Sequence, residues 1–162
     1  MSVRPELPDY RAAIDPSWID YNGHLRDAYY GLILSYAIDD VMDRLGLDAG
    51  YRERTRCTLY TLELHVHYLR EIKGGDAVSV RTALLDFDRK RIHAGCVFLC
   101  DRHHDPAAVA EAMLLHVHQG ERPASAAFPA EIERRLRDLK LAAAARAAFG
   151  PASCKIQIRR PA

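Results

Sequence analysis

Trp18-Ile19-Asp20-Tyr21-Asn22-Gly23-His24-Leu25-Arg26-Asp27-Ala28-Tyr29-Tyr30 is where the character of the chain changes. Before it stand turn formers, Pro16 with Asp20, Asn22 and Gly23, so residues 16–27 read as a loop. After it, Tyr30, Ile33, Ala37, Val41 and Leu45 recur at helical spacing. Tyr29, Leu32 and Tyr36 widen the stripe, and Ser35, Asp39 and Asp43 leave only a narrow polar strip. A helix so apolar is expected to be wrapped by other structure. Asp27 is placed to cap its start and Gly46 to end it. The carboxylate of Asp20 thus stands beside a helix N-terminus, whose free N–H groups can hold a developing oxyanion.

Downstream the period shifts from helical to alternating. Tyr60, Leu62, Leu64, Val66 and Tyr68 alternate with Thr61, Glu63, His65 and His67, the pattern of a long half-buried strand. Gly74-Gly75-Asp76 marks a turn, Val78 to Leu84 a second strand and Ile92 to Cys100 a third. Residues 107–119 satisfy both helix and strand patterns, and the preceding meander decides for a fourth strand. A short strand over 9–15 precedes the loop, and residues 48–56 read as a polar connection. Pro129 to Leu139 reads as a short amphipathic helix, and residues 141–162 as a loosely held tail behind a single domain at 1–140. One helix cannot cover both faces of such a sheet, so a homodimer or a dimer of dimers is expected.

A chain of 162 residues suffices for one packed core, and 49% hydrophobic with 28% charged residues is ordinary globular composition. The formal net charge of +1 gives no field for nucleic acid or an anionic membrane. The N-terminal MSVRPELPDY lacks an apolar run for a signal or span, which with Cys57, Cys96, Cys100 and Cys154 in no Cys-x-x-Cys spacing leads us to expect a cytoplasmic protein with reduced thiols.

The order of elements together with Asp20, Gly23 and His24 resembles the hotdog-fold acyl-CoA thioesterases of the 4-hydroxybenzoyl-CoA thioesterase-like kind. The similarity spans residues 9–120. It implies an α+β hotdog fold, a long central helix wrapped by a curled antiparallel sheet. A narrower similarity is to the betainyl-CoA thioesterases of carnitine degradation. It rests on Trp18 to His24, Glu63-x-His65, Leu69-x-Glu71-x-Lys73-x-Gly75 and Met113-Leu-Leu-His-Val117. The chain departs from that subgroup at Leu25-Arg26, where Met-Asn is common, which bears on acyl specificity more than on the reaction.

What the resemblance implies is hydrolysis of a small acyl-CoA without a cofactor. Asp20 would act as general base or as nucleophile, with backbone N–H groups from His24 to Asp27 as the oxyanion hole. A donor of that kind is worth ~3 kcal/mol in the transition state. Gly23, His24 and Asp27 complete the catalytic set. Trp18, Tyr21, Asn22, Tyr29 and Glu63 are the candidate substrate contacts; Trp18, Tyr21 and Tyr29, with Tyr36 and Tyr60, are candidates for an aromatic cage around a cationic acyl group. Each has a plain structural alternative: an Asx turn for Asp20 and Asn22, loop closure for His24, core packing for the aromatics and a solvated strand face for Glu63. The pairs His65/His67 and His116/His118 lack a third ligand, so no metal site is expected. Lys73, Arg89, Lys90 and Arg91 are either CoA-phosphate contacts or solvated turn charges. A non-catalytic acyl-CoA-binding protein of the same fold is the rival reading; a hydratase motif is missing.

Overall fold

The computed structural model describes residues 7–140 and 156–158. The expected helix is present as α1 (Asp27–Leu45), ended by Gly46 in the left-handed conformation at φ 82°. Its buried stripe is Tyr30, Ile33, Leu34, Ala37, Ile38, Met42 and Leu45, while Tyr36 stays exposed. Of the apolar residues outside that stripe, Tyr29 and Val41 still pack partly against the core. Arg26, not Asp27, occupies the cap position: its N–H donates to the Trp18 carbonyl at 3.1 Å, which holds it extended. Asp27 is the first helical residue, where its charge complements the helix dipole.

Among the described residues six antiparallel strands form one sheet: β1 (Tyr10–Ala12), β2 (Cys57–Tyr68), β3 (Val78–Phe87), β4 (Arg91–Cys100), β5 (Ala108–His118) and β6 (Ala124–Ser125). The order is β1-β3-β4-β5-β2, with β6 added beside the end of β5. The segment that fits both patterns is thus a strand, and a central one, paired on both sides. Alternate residues of β3, β4 and β5, among them Val80, Cys96, Phe98, Ala110 and Leu114, meet α1 in the main core. The opposite face carries a smaller cluster of Ala83, Leu85, Val97 and Val109.

Three expectations need correction. Residues 48–56 are not a plain connection but hold α2 (Ala49–Thr55), started by the Asp48 side chain accepting from the Tyr51 N–H at 2.8 Å. The first strand covers only Tyr10–Ala12, because Asp15 opens a 3-10 turn at Pro16–Trp18. The face of β2 read as half-buried is largely open, with Leu62 56% and Leu64 43% exposed: β2 is the sheet edge, and a bulge between Thr61 and Glu63 breaks its alternation.

The amphipathic helix is present as α3 (Ala130–Leu139), which buries Ile132 and Leu136. Of the tail, 156–158 is held rather than loose. Ile156 and Ile158 pack with Met113, and the Ile156 N–H donates to Glu111 Oε2 at 3.1 Å. Residues 141–155 and 159–162 lie outside the described residues. Cys57, Cys96 and Cys100 are buried free thiols, and burial pushes Cys96 up to about 12. No helix of the described chain is long and apolar enough to cross a membrane.

Candidate active site

The loop before α1 is a miniature hairpin closed around Asp20. Its N–H donates to the His24 carbonyl at 2.8 Å, and the Gly23 N–H returns to the Asp20 carbonyl at 3.0 Å. Asp20 Oδ1 accepts the N–H of Asn22 at 2.8 Å and of His24 at 3.0 Å. Gly23 makes the turn at φ 81°. A Cβ there would meet nothing within 4 Å, so the backbone angle alone calls for glycine. The hairpin is pinned to the segment after β2, since the Leu25 N–H donates to the Ile72 carbonyl at 2.7 Å.

That segment is itself anchored. The Lys73 N–H donates to Asp76 Oδ2 at 2.8 Å, and the Arg102 guanidinium grips the same carboxylate. The Arg102 bond holds the Asp76 carboxyl far down, at about 2.

An open cleft of about 1170 Å³, its solvent mouth included, lies between the hairpin, the start of α1 and the end of β2. Asp20, Tyr21, His24, Leu25, Arg26, Asp27 and Tyr30 form one wall; Tyr68, Leu69, Arg70 and Glu71 form the other. Hydrogen bonding by the His24 N–H, above all, lowers the Asp20 carboxyl below its usual range. Oδ1 is therefore fixed, and Oδ2 has no donor among the described residues.

The proposed row of oxyanion donors is narrower than the sequence implied. The N–H of His24 goes to Asp20, of Leu25 to Ile72 and of Arg26 to Trp18. The Ala28 N–H is taken by Asp27 Oδ1 at 2.9 Å. Only the Asp27 N–H, at the first helical position, has no acceptor among the described residues.

The remaining candidates divide. Tyr21, 93% exposed, tops the hairpin and faces the cleft. Asn22 contributes its backbone to Asp20, as the Asx-turn alternative has it. Trp18 and Tyr29 stack on each other at 5.1 Å and are outside the cleft lining. Glu63 is exposed on the edge strand and within one chain does not reach the cleft; nor do Tyr36 and Tyr60. Tyr30, Tyr68, Arg70 and Glu71 were not singled out, although Leu69-x-Glu71 lay in the quoted similarity; only the return of β2 to the helix start brings them together.

Three of the basic residues and His116 are engaged structurally, whereas His65 Nδ1 is buried with no hydrogen-bond partner among the described residues. Lys73 pairs with Glu71 at 3.3 Å and Arg91 with Asp88 at 2.6 Å, while Lys90 donates to Ser125 at 3.1 Å. His116 is buried between the Tyr51 hydroxyl at 2.8 Å and the Ala126 carbonyl at 2.9 Å. Asp76, Cys100 and Asp101 converge, but Arg102 already neutralises Asp76.

A long helix packed against a curled antiparallel sheet defines the hotdog fold. The chain belongs to the Thioesterase-like superfamily, whose model matches residues 14–136. Among individual relatives, it is 44% identical to the betainyl-CoA thioesterase of Pseudomonas aeruginosa, over 82% of this chain and 83% of that one. It is 37% identical to the L-carnitine dehydrogenase/betainyl-CoA thioesterase of Agrobacterium fabrum, over 67% of this chain and 22% of that longer protein. A Pseudomonas putida crystal structure superposes with a TM-score of 0.75 at 40% identity, covering 98% of this chain and 99% of that one. A Staphylococcus aureus protein solved in complex with CoA gives 0.82 at 26% identity, covering 99% of both chains.

Proposed function

We propose that this chain hydrolyses an acyl-CoA thioester to free acid and CoA, with betainyl-CoA as the substrate. The observation that carries the reading is Asp20, a residue of the cleft wall whose Oδ1 is held by two backbone N–H groups while Oδ2 has no donor among the described residues. From that position Oδ2 orients and deprotonates water, or attacks the thioester carbonyl itself. A carboxyl lowered below its ordinary range stays ionised, as either route requires. The Asp27 N–H, backed by the α1 dipole, stands ready for the oxyanion. His24 lines the same cleft and contacts the thioester in this scheme. The substrate assignment draws on the Pseudomonas aeruginosa relative at 44% identity.

The working unit in this reading is a homodimer joined through β2. An edge strand exposing Tyr60, Leu62 and Leu64 invites an antiparallel copy of itself. Such pairing sets the Tyr68 end of one β2, with its cleft, against the Cys57 end of the other. A CoA ester as substrate agrees with the cytoplasmic location expected from the sequence.

Free-thiol release from a panel of acyl-CoAs tests the proposal. Turnover of betainyl-CoA above other small esters supports it. Turnover of other esters alone removes the substrate, and tight binding without release makes the chain an acyl-CoA-binding protein.

A further inference from the structure

Two aromatic rings and one carboxylate in the cleft have no part in the chemistry assigned to Asp20. Tyr30, 3% exposed, meets Tyr68 edge-on at 5.0 Å and 85°. Tyr68 is half exposed, lines the cleft, and donates its hydroxyl to the Asp27 carbonyl at 3.5 Å. Burial, and then the charge of Asp27, raise the Tyr68 phenol, so the ring stays neutral.

The charges lining the cleft are not equivalent. Glu71 is taken by Lys73, and Arg70 is drawn outward to Asp105 at 2.8 Å and the Pro106 carbonyl at 3.1 Å. The Asp27 carboxylate accepts the N–H of its neighbour Ala28, and among the described residues no cation pairs with it. A half-exposed aromatic ring lining the same cleft as a carboxylate with no ion pair among the described residues is the chemistry that holds a quaternary ammonium group, which attracts π-faces and cannot itself donate a hydrogen bond.

Resting on the thioesterase reading above, we infer that Tyr68 and Asp27 form the specificity subsite for a cationic acyl group: the Tyr68 ring against its methyl groups, the Asp27 carboxylate as its counter-charge. Tyr30 packs edge-on against the Tyr68 ring. A neutral acyl group of the same shape fills the space but gains neither attraction.

The test compares kcat/KM for betainyl-CoA with that for 3,3-dimethylbutanoyl-CoA, in which carbon replaces the ammonium nitrogen. Wild type, Tyr68→Leu, Tyr68→Phe and Asp27→Asn are measured. The inference expects the betainyl preference to fall about tenfold in Tyr68→Leu and in Asp27→Asn, and to stay within about twofold in Tyr68→Phe. The phenylalanine variant keeps the ring, so its result separates lost cation binding from lost packing. An unchanged preference in Tyr68→Leu and Asp27→Asn overturns the subsite, as does a wild type with no preference for the charged ester. Wild-type turnover of neither ester overturns the thioesterase reading beneath it as well.

Discussion

At Asp20 the loop directs two backbone N–H groups onto a single carboxylate oxygen and leaves the other without a donor among the described residues. The cause is local. Gly23 at φ 81° turns the chain so that the His24 N–H points back at the side chain four residues earlier. Since those bonds favour the ionised form, the carboxyl titrates below its ordinary value of 3.8. The ionised form is the active one, so activity is present above that value and lost as pH falls through the lowered one. In pH-jump assays short enough to outrun unfolding, kcat/KM keeps no acid limb from Asp20 above about pH 5. A limb attributable to Asp20 near neutrality contradicts this picture. This residue was legible because every member of its turn is adjacent in sequence. Tyr68 was not, since its nearness to Asp27 depends on where β2 ends relative to α1.

Among the elements, α2 is the instructive omission. Gly50 and five charged residues in and beside Ala49–Thr55 obscure any helical stripe, leaving Tyr51 as its one buried side chain. What secures it is a long-range contact, the Tyr51 hydroxyl on His116 of β5. With Nδ1 facing the Ala126 carbonyl and Nε2 facing the tyrosine, His116 is neutral, donating from the first and accepting at the second. Burial lowers its proton affinity relative to an unfolded histidine near 6.5. The unfolded chain therefore binds the proton first, and stability falls as pH drops below that value. His116→Leu leaves both partners unsatisfied and lowers stability by about 2–3 kcal/mol. It also flattens this residue's part of the acid slope. Urea unfolding at pH 7.5 and 5.5 measures both effects; an unaltered slope removes His116 as its source. No spacing rule reveals such a pairing, whereas the strand assignment of 107–119 followed from the rhythm of the three strands before it.

For the whole molecule, the sheet is unfinished at β2. The alternation from Tyr60 to Tyr68 announces a face meant for burial, yet Leu62 and Leu64 lie open in the single chain. Periodicity reports that a face is to be covered and says nothing of what covers it; a second β2 is the occupant we propose. Leu64→Lys then shifts the protein from dimer to monomer in sedimentation at micromolar concentration, with the circular dichroism of the fold kept. Wild type sedimenting as a monomer contradicts this assembly.

The central claim is that the Asp20 carboxylate performs the hydrolysis. Its most direct test is single-turnover release of CoA from betainyl-CoA by wild type and Asp20→Asn, with ester binding measured alongside. We predict a loss of about a thousandfold or more in the chemical step, ~4 kcal/mol of transition-state stabilisation, with binding changed little. An asparagine variant that releases CoA at near wild-type rate contradicts the account and leaves Asp20 as no more than the keystone of a turn.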